Sequence, residues 1–229
     1  RALGHTVQEA SAALVPVKLK DPIGSAAGVS VRSAKITLLQ NGAKQSQRTG
    51  KILFTHVGLS GPAILNMSRE IGELLKYGAV RIDIDLLPDM GYEKVNEALQ
   101  DAFKVHDKKK IKNALTGILP PALVPCVLGK ADIDPETFCN SVTRDARLRL
   151  IQVLKHLRFE AKCLLGMDKA VITAGGVALT EVDWKNMRSL KYKNLFLVGD
   201  ILNIDRPSGG YSLQLCWTTG YVAGSAAAA

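Results

Sequence analysis

The sequence predicts a mixed α+β and α/β fold, because the spacing of its apolar residues changes twice along 229 residues. Apolar and polar residues largely alternate from about Ala13 to Leu87, which is typical of strands. From about Gly91 to His156 apolar residues recur at three- and four-residue steps, which is typical of helices. From Asp168 onward, short unbroken apolar runs end in glycine or polar turns, as in strands buried on both faces of a layered sheet.

The first region contains clear strand, turn and helix patterns. Asn41-Gly42 is a strong hairpin dipeptide between two strand-like segments. From Val80 to Leu86 every second residue is apolar, so we expect one face of this strand in a core and its charged residues in water. Those charged residues are Arg81, Asp83 and Asp85. Between these segments, an initial proline and an apolar stripe predict a helix from Pro62 to about Tyr77.

The second region predicts a compact bundle of about three or four short helices. One apolar face runs from Tyr92 to His106. Asp134 followed by Pro135 is the usual combination of a helix cap and a first helical residue, so we expect a helix to begin there. Alternation then resumes between Arg158 and Cys163, which predicts a return to β structure.

The third region predicts part of an α/β domain. Its apolar runs are Ala170–Thr173 and Leu195–Val198, each expected to be a strand covered on both faces. After the second run come Gly199-Asp200, a loop, Gly209-Gly210 and an apolar segment from Tyr211 to Ala223 that we expect to be a helix. Two strands and one helix cannot form a doubly wound domain, so the other strands are expected upstream of this sequence.

Composition limits the classes of function. The sequence has 30 Lys and Arg against 21 Asp and Glu, a net charge of +9. Part of this charge lies in the run Lys104–Lys112, which is either a patch for nucleic acid or another anion, or a solvated helix end. No aromatic residue interleaves with its lysines. No apolar stretch reaches the ~18 residues that a membrane-spanning helix needs.

The cysteines and histidines indicate neither a metal site nor a disulfide framework. The four cysteines are far apart without a C-x-x-C pair, so we expect four buried thiols in a reducing compartment. The four histidines have no metal-ligand spacing. These residues are Cys126, Cys139, Cys163, Cys216, His5, His56, His106 and His156. His56 lies beside the start of the predicted Pro62 helix, where it is either a proton-transfer group or a buried structural histidine.

The segment from Gly199 to the following helix has the features of a ligand site. An aspartate after a sheet strand can accept hydrogen bonds from sugar or ribityl hydroxyls. Gly209 and Gly210 let the backbone approach a ring, and the free N–H groups at the helix start favour negative charge. An ordinary strand-to-helix connection with a capping Asp200 explains the same spacing. Gly175-Gly176 is expected to be a second glycine turn at a strand end.

Three segments together resemble one family. They are GKILFTHVGLSGPAILNMSR, VITAGGVALTEVD and NLFLVGDILNIDRPSGGYSLQLCWTTGYVAG. In this order they closely resemble the BaiN-type, or YhiN-type, flavoproteins, which are NAD(P)/FAD-dependent oxidoreductases. The opening LGHTV and the stretch Ala13–Pro16 are also similar to that family, so the resemblance covers nearly the whole sequence.

The resemblance implies a Rossmann-like FAD domain interrupted by an insert domain made of a small β-barrel and a helical bundle. Residues 1–14 would be a remnant of the FAD domain and residues 168–229 its C-terminal part. The insert domain would span residues 15–167, with the barrel at 15–88 and 157–167 and the bundle at 89–156. The resemblance also implies which residues contact FAD. Gly199 and Asp200 would meet its ribityl or pyrophosphate part, Gly209, Gly210, Tyr211, Ser212 and Leu213 would line the isoalloxazine, and Gly175, Gly176 and Val177 would lie nearby.

One feature of that family is missing here. The G-x-G-x-x-G turn of its first strand and helix is absent, and Gly24–Gly28 does not replace it because no buried strand precedes it. We therefore expect the C-terminal portion of a longer FAD-dependent oxidoreductase, unable to bind FAD alone. His56 and Tyr211 are the candidate proton donors, and no metal is expected.

The expected chemistry is flavin-mediated hydride transfer to an unidentified small molecule, with NAD(P)H as a candidate reductant. We expect a cytoplasmic or organellar protein without a membrane partner. Two alternatives remain open: a nucleic-acid-associated, RNA-modifying flavoprotein, motivated by the charge of +9, and a non-enzymatic structural remnant.

Overall fold

The computed structural model of the protein describes residues 2–228. These divide into two compact units. The barrel unit comprises Pro16–Leu164, and the terminal unit comprises the described residues up to Val15 together with those from Leu165 onward. The main strands are β1 Val7–Ala13, β2 Val17–Leu19, β3 Ser30–Gln40, β4 Ala43–Thr55, β5 Gly58–Ser60, β6 Val80–Asp85, β7 Leu157–Leu164 and β8 Ile172–Val177, followed by β9 Val182–Asp183 and β10 Arg188–Ser189. The helices are α1 Pro62–Leu75, α2 Tyr92–Val105, α3 Ile111–Ala114, α4 Val124–Lys130, α5 Arg144–Lys155 and α6 Tyr211–Ala228.

The barrel unit is built on a closed barrel with the strand order β2-β5-β4-β3-β6-β7. The predicted hairpin is confirmed: β3 pairs with β4 through Asn41 and Gly42, whose φ angles of +52° and +80° suit a type I′ turn. The predicted strands at Val80 and Arg158 are confirmed as β6 and β7. Their inward residues are fully buried with those of β3 and β4, among them Ile36, Leu38, Ile52, Phe54, Ile82 and Ile84.

Helix α1 covers the barrel core. Its apolar stripe, which includes Ile64, Met67 and Ile71, is buried as predicted. Gly61 precedes the helix with φ +91°, and a side chain there would put Cβ 2.8 Å from the Leu53 nitrogen. Glycine is therefore required where the chain crosses β4 to enter α1.

Helices α2 to α5 form the predicted bundle, and α2 buries Val95, Leu99 and Phe103. Thr143 caps α5 by accepting a hydrogen bond from the Ala146 N–H. The prediction of a helix start at Asp134-Pro135 is wrong. The Asp134 carboxylate instead accepts from the Glu136 N–H at 2.9 Å within a turn, a local bond that competes with helix formation.

Two charged residues of β6 are buried, contrary to the prediction that they lie in water. Asp83 is 7% and Asp85 is 5% exposed, although their side chains leave the barrel core. The reason is that the start of α2 and the end of α5 cover this outer face. Lys155, at the end of α5, bridges Asp85 at 2.6 Å and donates to the carbonyls of Leu87 and Met90.

The terminal unit has little regular sheet. Strand β8 pairs antiparallel with β1, and β9 pairs with β10. The predicted doubly covered strands are not found: β8 begins at Ile172 and is mostly half-buried, while Leu195–Val198 is irregular apart from a bridge between Phe196 and Arg188. An apolar run predicts that its residues are buried, but it does not specify pairing with a neighbouring strand. Here Leu197 is buried in a small cluster with Leu202.

Helix α6 is confirmed and extends five residues beyond Ala223, the last residue of the expected helix. Only Thr219 and Ala223 on it are buried, although the helix is apolar on most sides. Its large exposed side chains are Tyr211, Leu213, Trp217 and Tyr221. Among the described residues, no helix is long and apolar enough to cross a membrane.

Candidate functional site

The turn at Gly199 is held directly against α6. Gly199 opens a short 3-10 turn with φ +64°, and its N–H donates to the Thr219 hydroxyl at 2.9 Å. A Cβ at this position would lie 3.0 Å from the Cys216 sulfur. A glycine is thus needed both for the backbone conformation and for the close packing of the turn on the helix.

The structure brings the Gly175 and Gly199 segments together. Gly175 and Gly176 lie inside β8, so the prediction that they form a turn is wrong. Their φ angles are +104° and +124°, and a Cβ would lie 2.5 Å from the Glu9 carbonyl oxygen or the Ile201 carbonyl oxygen, respectively. Val177 completes the contact by accepting from the Asn203 N–H at 3.0 Å. Both glycines therefore serve close backbone packing.

Asp200 is exposed, and its carboxylate is fixed by an arginine that the sequence analysis did not identify. Arg206 donates from Nη2 to Asp200 Oδ1 at 2.8 Å and from Nε to the Ser212 hydroxyl at 3.2 Å. It thereby connects two of the predicted cofactor residues across the loop. In the sequence, the role of Arg206 is indicated only by its position next to Pro207 within the candidate loop.

Arg206 also carries an unused donor. Its side chain is 5% exposed, and its Nη1 is buried without a hydrogen-bond partner among the described residues. A buried donor without a partner costs free energy, which favours an acceptor on a bound molecule. An anionic or oxygen-rich ligand would supply one.

The Gly209-Gly210 segment forms an open approach to the start of α6. Both residues have positive φ, +112° and +90°, and no atom lies within 4 Å of a Cβ placed on Gly210. Tyr211 and Leu213 follow with exposed side chains. The first N–H groups of a helix lack partners within the helix, so this end favours negative charge. The site can therefore accept a flat or charged ligand group without a clash.

The two candidate proton donors, His56 and Tyr211, are both exposed. His56 is exposed in the turn between β4 and β5, so the alternative of a buried structural histidine is wrong. Tyr211 lies at the first position of α6, as required for a ligand contact. Its catalytic role stays a prediction.

The thiols and the basic run add no site of their own. Cys139 is buried, Cys126 and Cys216 are half-buried and Cys163 is exposed, so the prediction of four buried thiols is wrong. Burial raises the pKa of the Cys126 and Cys139 thiols, which makes them less reactive. Across residues 2–228 no group of three metal-ligating side chains converges.

Within the basic run, Lys110 and Lys112 both bind Glu136. These hydrogen bonds lower the pKa of Glu136 to about 2. Two lysines of the run are thereby occupied within the protein, which favours the interpretation of a solvated helix end over that of a free anion patch.

Comparison with known proteins identifies relatives of the whole chain. Residues 11–172 match the HI0933-like protein barrel and H2TH domain. The chain is 33% identical over its full length to the 3-dehydro-bile acid delta(4,6)-reductase of Clostridium scindens, covering 56% of that protein. It is 30% identical over 95% of its length to the ribosomal RNA dihydrouridine synthase of Escherichia coli, covering 52% of it. The Haemophilus influenzae protein of the same name is 29% identical over 75% of the chain, which covers 40% of that protein.

The chain spans about half the length of the curated relatives it matches. The family domain covers most of the chain and includes the entire barrel unit. The resemblance to the BaiN-type flavoproteins is confirmed by these matches. The chain belongs to the HI0933-like family of proteins with a barrel and H2TH domain.

Proposed function

We propose that the chain is part of an FAD-dependent oxidoreductase that transfers a hydride through its flavin to a small molecule. The observation that carries this proposal is the glycine-rich loop from Gly199 to Leu213, in which the buried Arg206 links the Asp200 carboxylate to Ser212 at the start of α6, next to the open space at Gly210. The similarity of the whole chain to 56% of a reductase supports it. We also propose NAD(P)H as the reductant of the flavin.

The loop residues have distinct roles in this proposal. Asp200 accepts hydrogen bonds from the hydroxyls of the ribityl chain, and Arg206 both orients Asp200 and offers its unused Nη1 donor to an oxygen of the cofactor. The start of α6 places N–H groups of Tyr211, Ser212 and Leu213 where negative charge is stabilised. Gly209 and Gly210 keep the approach free of side chains. Bound FAD would supply the hydride chemistry, and the protein would supply position and electrostatics.

The terminal unit supplies only part of a cofactor domain. Its described residues contain no G-x-G-x-x-G turn, and the strands that would surround β8 in a Rossmann-like domain are absent from them. We therefore propose that residues 1–14 and 168–229 belong to the FAD-binding domain and that residues 15–167 form the insert domain. We also propose that this chain does not bind FAD alone. The large exposed apolar residues of α6 are consistent with a face that another part of the protein covers.

An RNA-modifying role is the second candidate. It is motivated by the two relatives named as ribosomal RNA dihydrouridine synthases and by the net charge of +9. The occupied Lys110 and Lys112 weigh against a free RNA-binding patch at the basic run. A small-molecule reductase is therefore the preferred function.

The test uses a protein in which this chain is joined to its family's nucleotide-binding segment. The visible spectrum after gel filtration measures bound FAD, and anaerobic addition of NADPH or NADH measures its reduction. Asp200→Ala should weaken FAD binding, whereas Asp168→Ala should not, because Asp168 is an exposed aspartate of the same unit outside the loop. Equal effects of the two substitutions would remove Asp200 from the site. Reduction stimulated only by RNA would favour the second candidate.

A further inference from the structure

A cavity of about 490 Å³, lined by both charged and apolar side chains, lies on the outer face of the barrel, within the barrel unit. Strands β3, β4 and β6 form its floor, and the start of α2 and the end of α5 form its rim. Outward positions of β3 contribute Lys35 and Thr37, because the intervening Ile36 points into the barrel core. This cavity shares no residue with the glycine-rich loop.

A chain of three hydrogen-bonded side chains reaches the cavity wall. The Tyr92 hydroxyl lies 2.6 Å from His156 Nε2, and His156 Nδ1 lies 3.1 Å from Asp83 Oδ2. The carboxylate of Asp83 is buried and only accepts, so Nδ1 carries a proton. In the neutral ring Nε2 then accepts the Tyr92 O–H, and the tautomer is set by this network. The Tyr92 oxygen consequently offers lone pairs to the cavity and selects a ligand that donates.

Two lysine ammonium groups of the cavity make no ion pair with a described carboxylate, although Asp83 and Asp85 also line it. Asp83 is paired with Arg158 at 3.3 Å, and Asp85 with Lys155 at 2.6 Å. Both carboxylates are thereby matched. The Lys35 ammonium makes no ion pair or side-chain hydrogen bond with a described residue, although Asp85 is its cross-strand neighbour, and the Lys44 ammonium donates to the Gln47 amide oxygen at 2.7 Å. Two ammonium groups therefore remain for an anion.

We propose that this cavity binds a small anion that carries a hydroxyl group. Lys35 and Lys44 hold its carboxylate or phosphate, while its hydroxyl donates to the Tyr92 oxygen. That oxygen is oriented by His156, which Asp83 holds in turn. The ligand hydroxyl donates to Tyr92, Tyr92 donates to His156, and His156 donates to Asp83. No proton or electron is transferred. Tyr92 contacts the ligand, and His156 and Asp83 are positioning residues. The inference does not depend on the proposed flavin chemistry.

Matched ligand pairs test both parts of this site. Malate and succinate differ by one hydroxyl, as do glycerol 3-phosphate and its analogue lacking the C2 hydroxyl, and each is titrated into the full chain while the His156 ring signals are followed by NMR. The hydroxylated member should bind about tenfold more tightly, since one hydrogen bond in a polar site contributes roughly that factor. The pair with the larger effect shows whether the natural anion is a carboxylate or a phosphate.

Three substitutions separate binding from a purely structural network. Tyr92→Phe should remove the preference for the hydroxylated ligand and leave the unfolding midpoint unchanged, because the tyrosine is 45% exposed. Lys35→Gln should weaken both members of a pair about tenfold, the loss of one charge-assisted contact. Lys51→Gln is the control, since Lys51 is an exposed lysine of β4 outside the cavity. The proposal is overturned if no ligand gives saturable shifts at millimolar concentration, if the paired ligands bind equally, or if Lys51→Gln acts as strongly as Lys35→Gln.

Discussion

Replacing Lys155 with methionine removes the ammonium group that ties the end of α5 to the barrel. Lys155 is buried, and its three donors are used by Asp85 Oδ2 at 2.6 Å, the Leu87 carbonyl at 2.9 Å and the Met90 carbonyl at 2.7 Å. Methionine fills most of the same space without charge. The Asp85 carboxylate, 5% exposed, is then left without its cation. Removing one partner of a buried ion pair costs about 3–5 kcal/mol, so we expect a loss of that size in the free energy of unfolding.

The assay has to measure the unfolding of the barrel unit. Both tryptophans, Trp184 and Trp217, lie in the terminal unit, so their fluorescence would follow the wrong part of the chain. Urea unfolding followed by far-ultraviolet circular dichroism and by amide exchange of β6 is suitable. Lys20→Met is the matched control, because Lys20 pairs with Glu160 at the surface, and an exposed pair contributes about 0–1 kcal/mol.

A double substitution tests the physical reason. Asp85→Asn combined with Lys155→Met removes both charges and keeps an acceptor for the Leu87 N–H, which Asp85 binds at 2.9 Å. The pair should therefore destabilise less than the sum of the two single substitutions. A loss from Lys155→Met no larger than that from Lys20→Met, or single effects that simply add, would contradict a stabilising buried ion pair between Asp85 and Lys155.

Three further predictions concern the loop and the surface. In the flavin-bound protein, Asp200→Ala should weaken FAD binding by about 1–3 kcal/mol, measured by fluorescence titration, because it leaves hydroxyl groups without an acceptor. Gly210→Val should weaken FAD binding more than Cys216→Ala, because φ +90° resists a branched side chain and the open approach would be filled; flavin affinity retained in the first variant and lost in the second would contradict the loop assignment. The pKa of Glu136 is lowered from 4.5 to about 2 by Lys110 and Lys112, so its stabilising contribution is present above pH 4.5 and is lost as the pH falls toward 2; a carboxyl NMR titration of Glu136 with an ordinary midpoint would contradict this.

Local patterns predicted the elements whose structure depends on nearby residues. The hairpin at Asn41-Gly42, the helix at Pro62 and the alternating strand at Val80 each follow from dihedral preference or from the period of apolar residues. The burial of Asp83 and Asp85 could not be predicted in this way. It depends on the start of α2 and on the end of α5, which is distant in sequence, and both pack on the outside of the barrel.

In the candidate site, too, features set by nearby residues could be predicted and features set by distant packing could not. Glycine pairs indicate positive φ or close backbone contact, and Gly175 and Gly176 show both. The sequence does not specify whether such a pair lies in a turn or in a strand, which depends on the partner β1. Arg206 could not be identified because its bonds to Asp200 and Ser212 depend on the path of the loop. The apolar run Leu195–Val198 predicted burial correctly for Leu197 but not a strand.

In the proposed function, this chain carries the flavin-facing part of a larger cofactor site. The most direct test purifies the chain alone and the chain joined to its family's G-x-G-x-x-G segment, and measures the visible absorbance of each after gel filtration with excess FAD. We expect the joined protein to be yellow with stoichiometric FAD and the chain alone to be colourless. Stoichiometric FAD on the chain alone, or its absence from the folded joined protein, would contradict the claim.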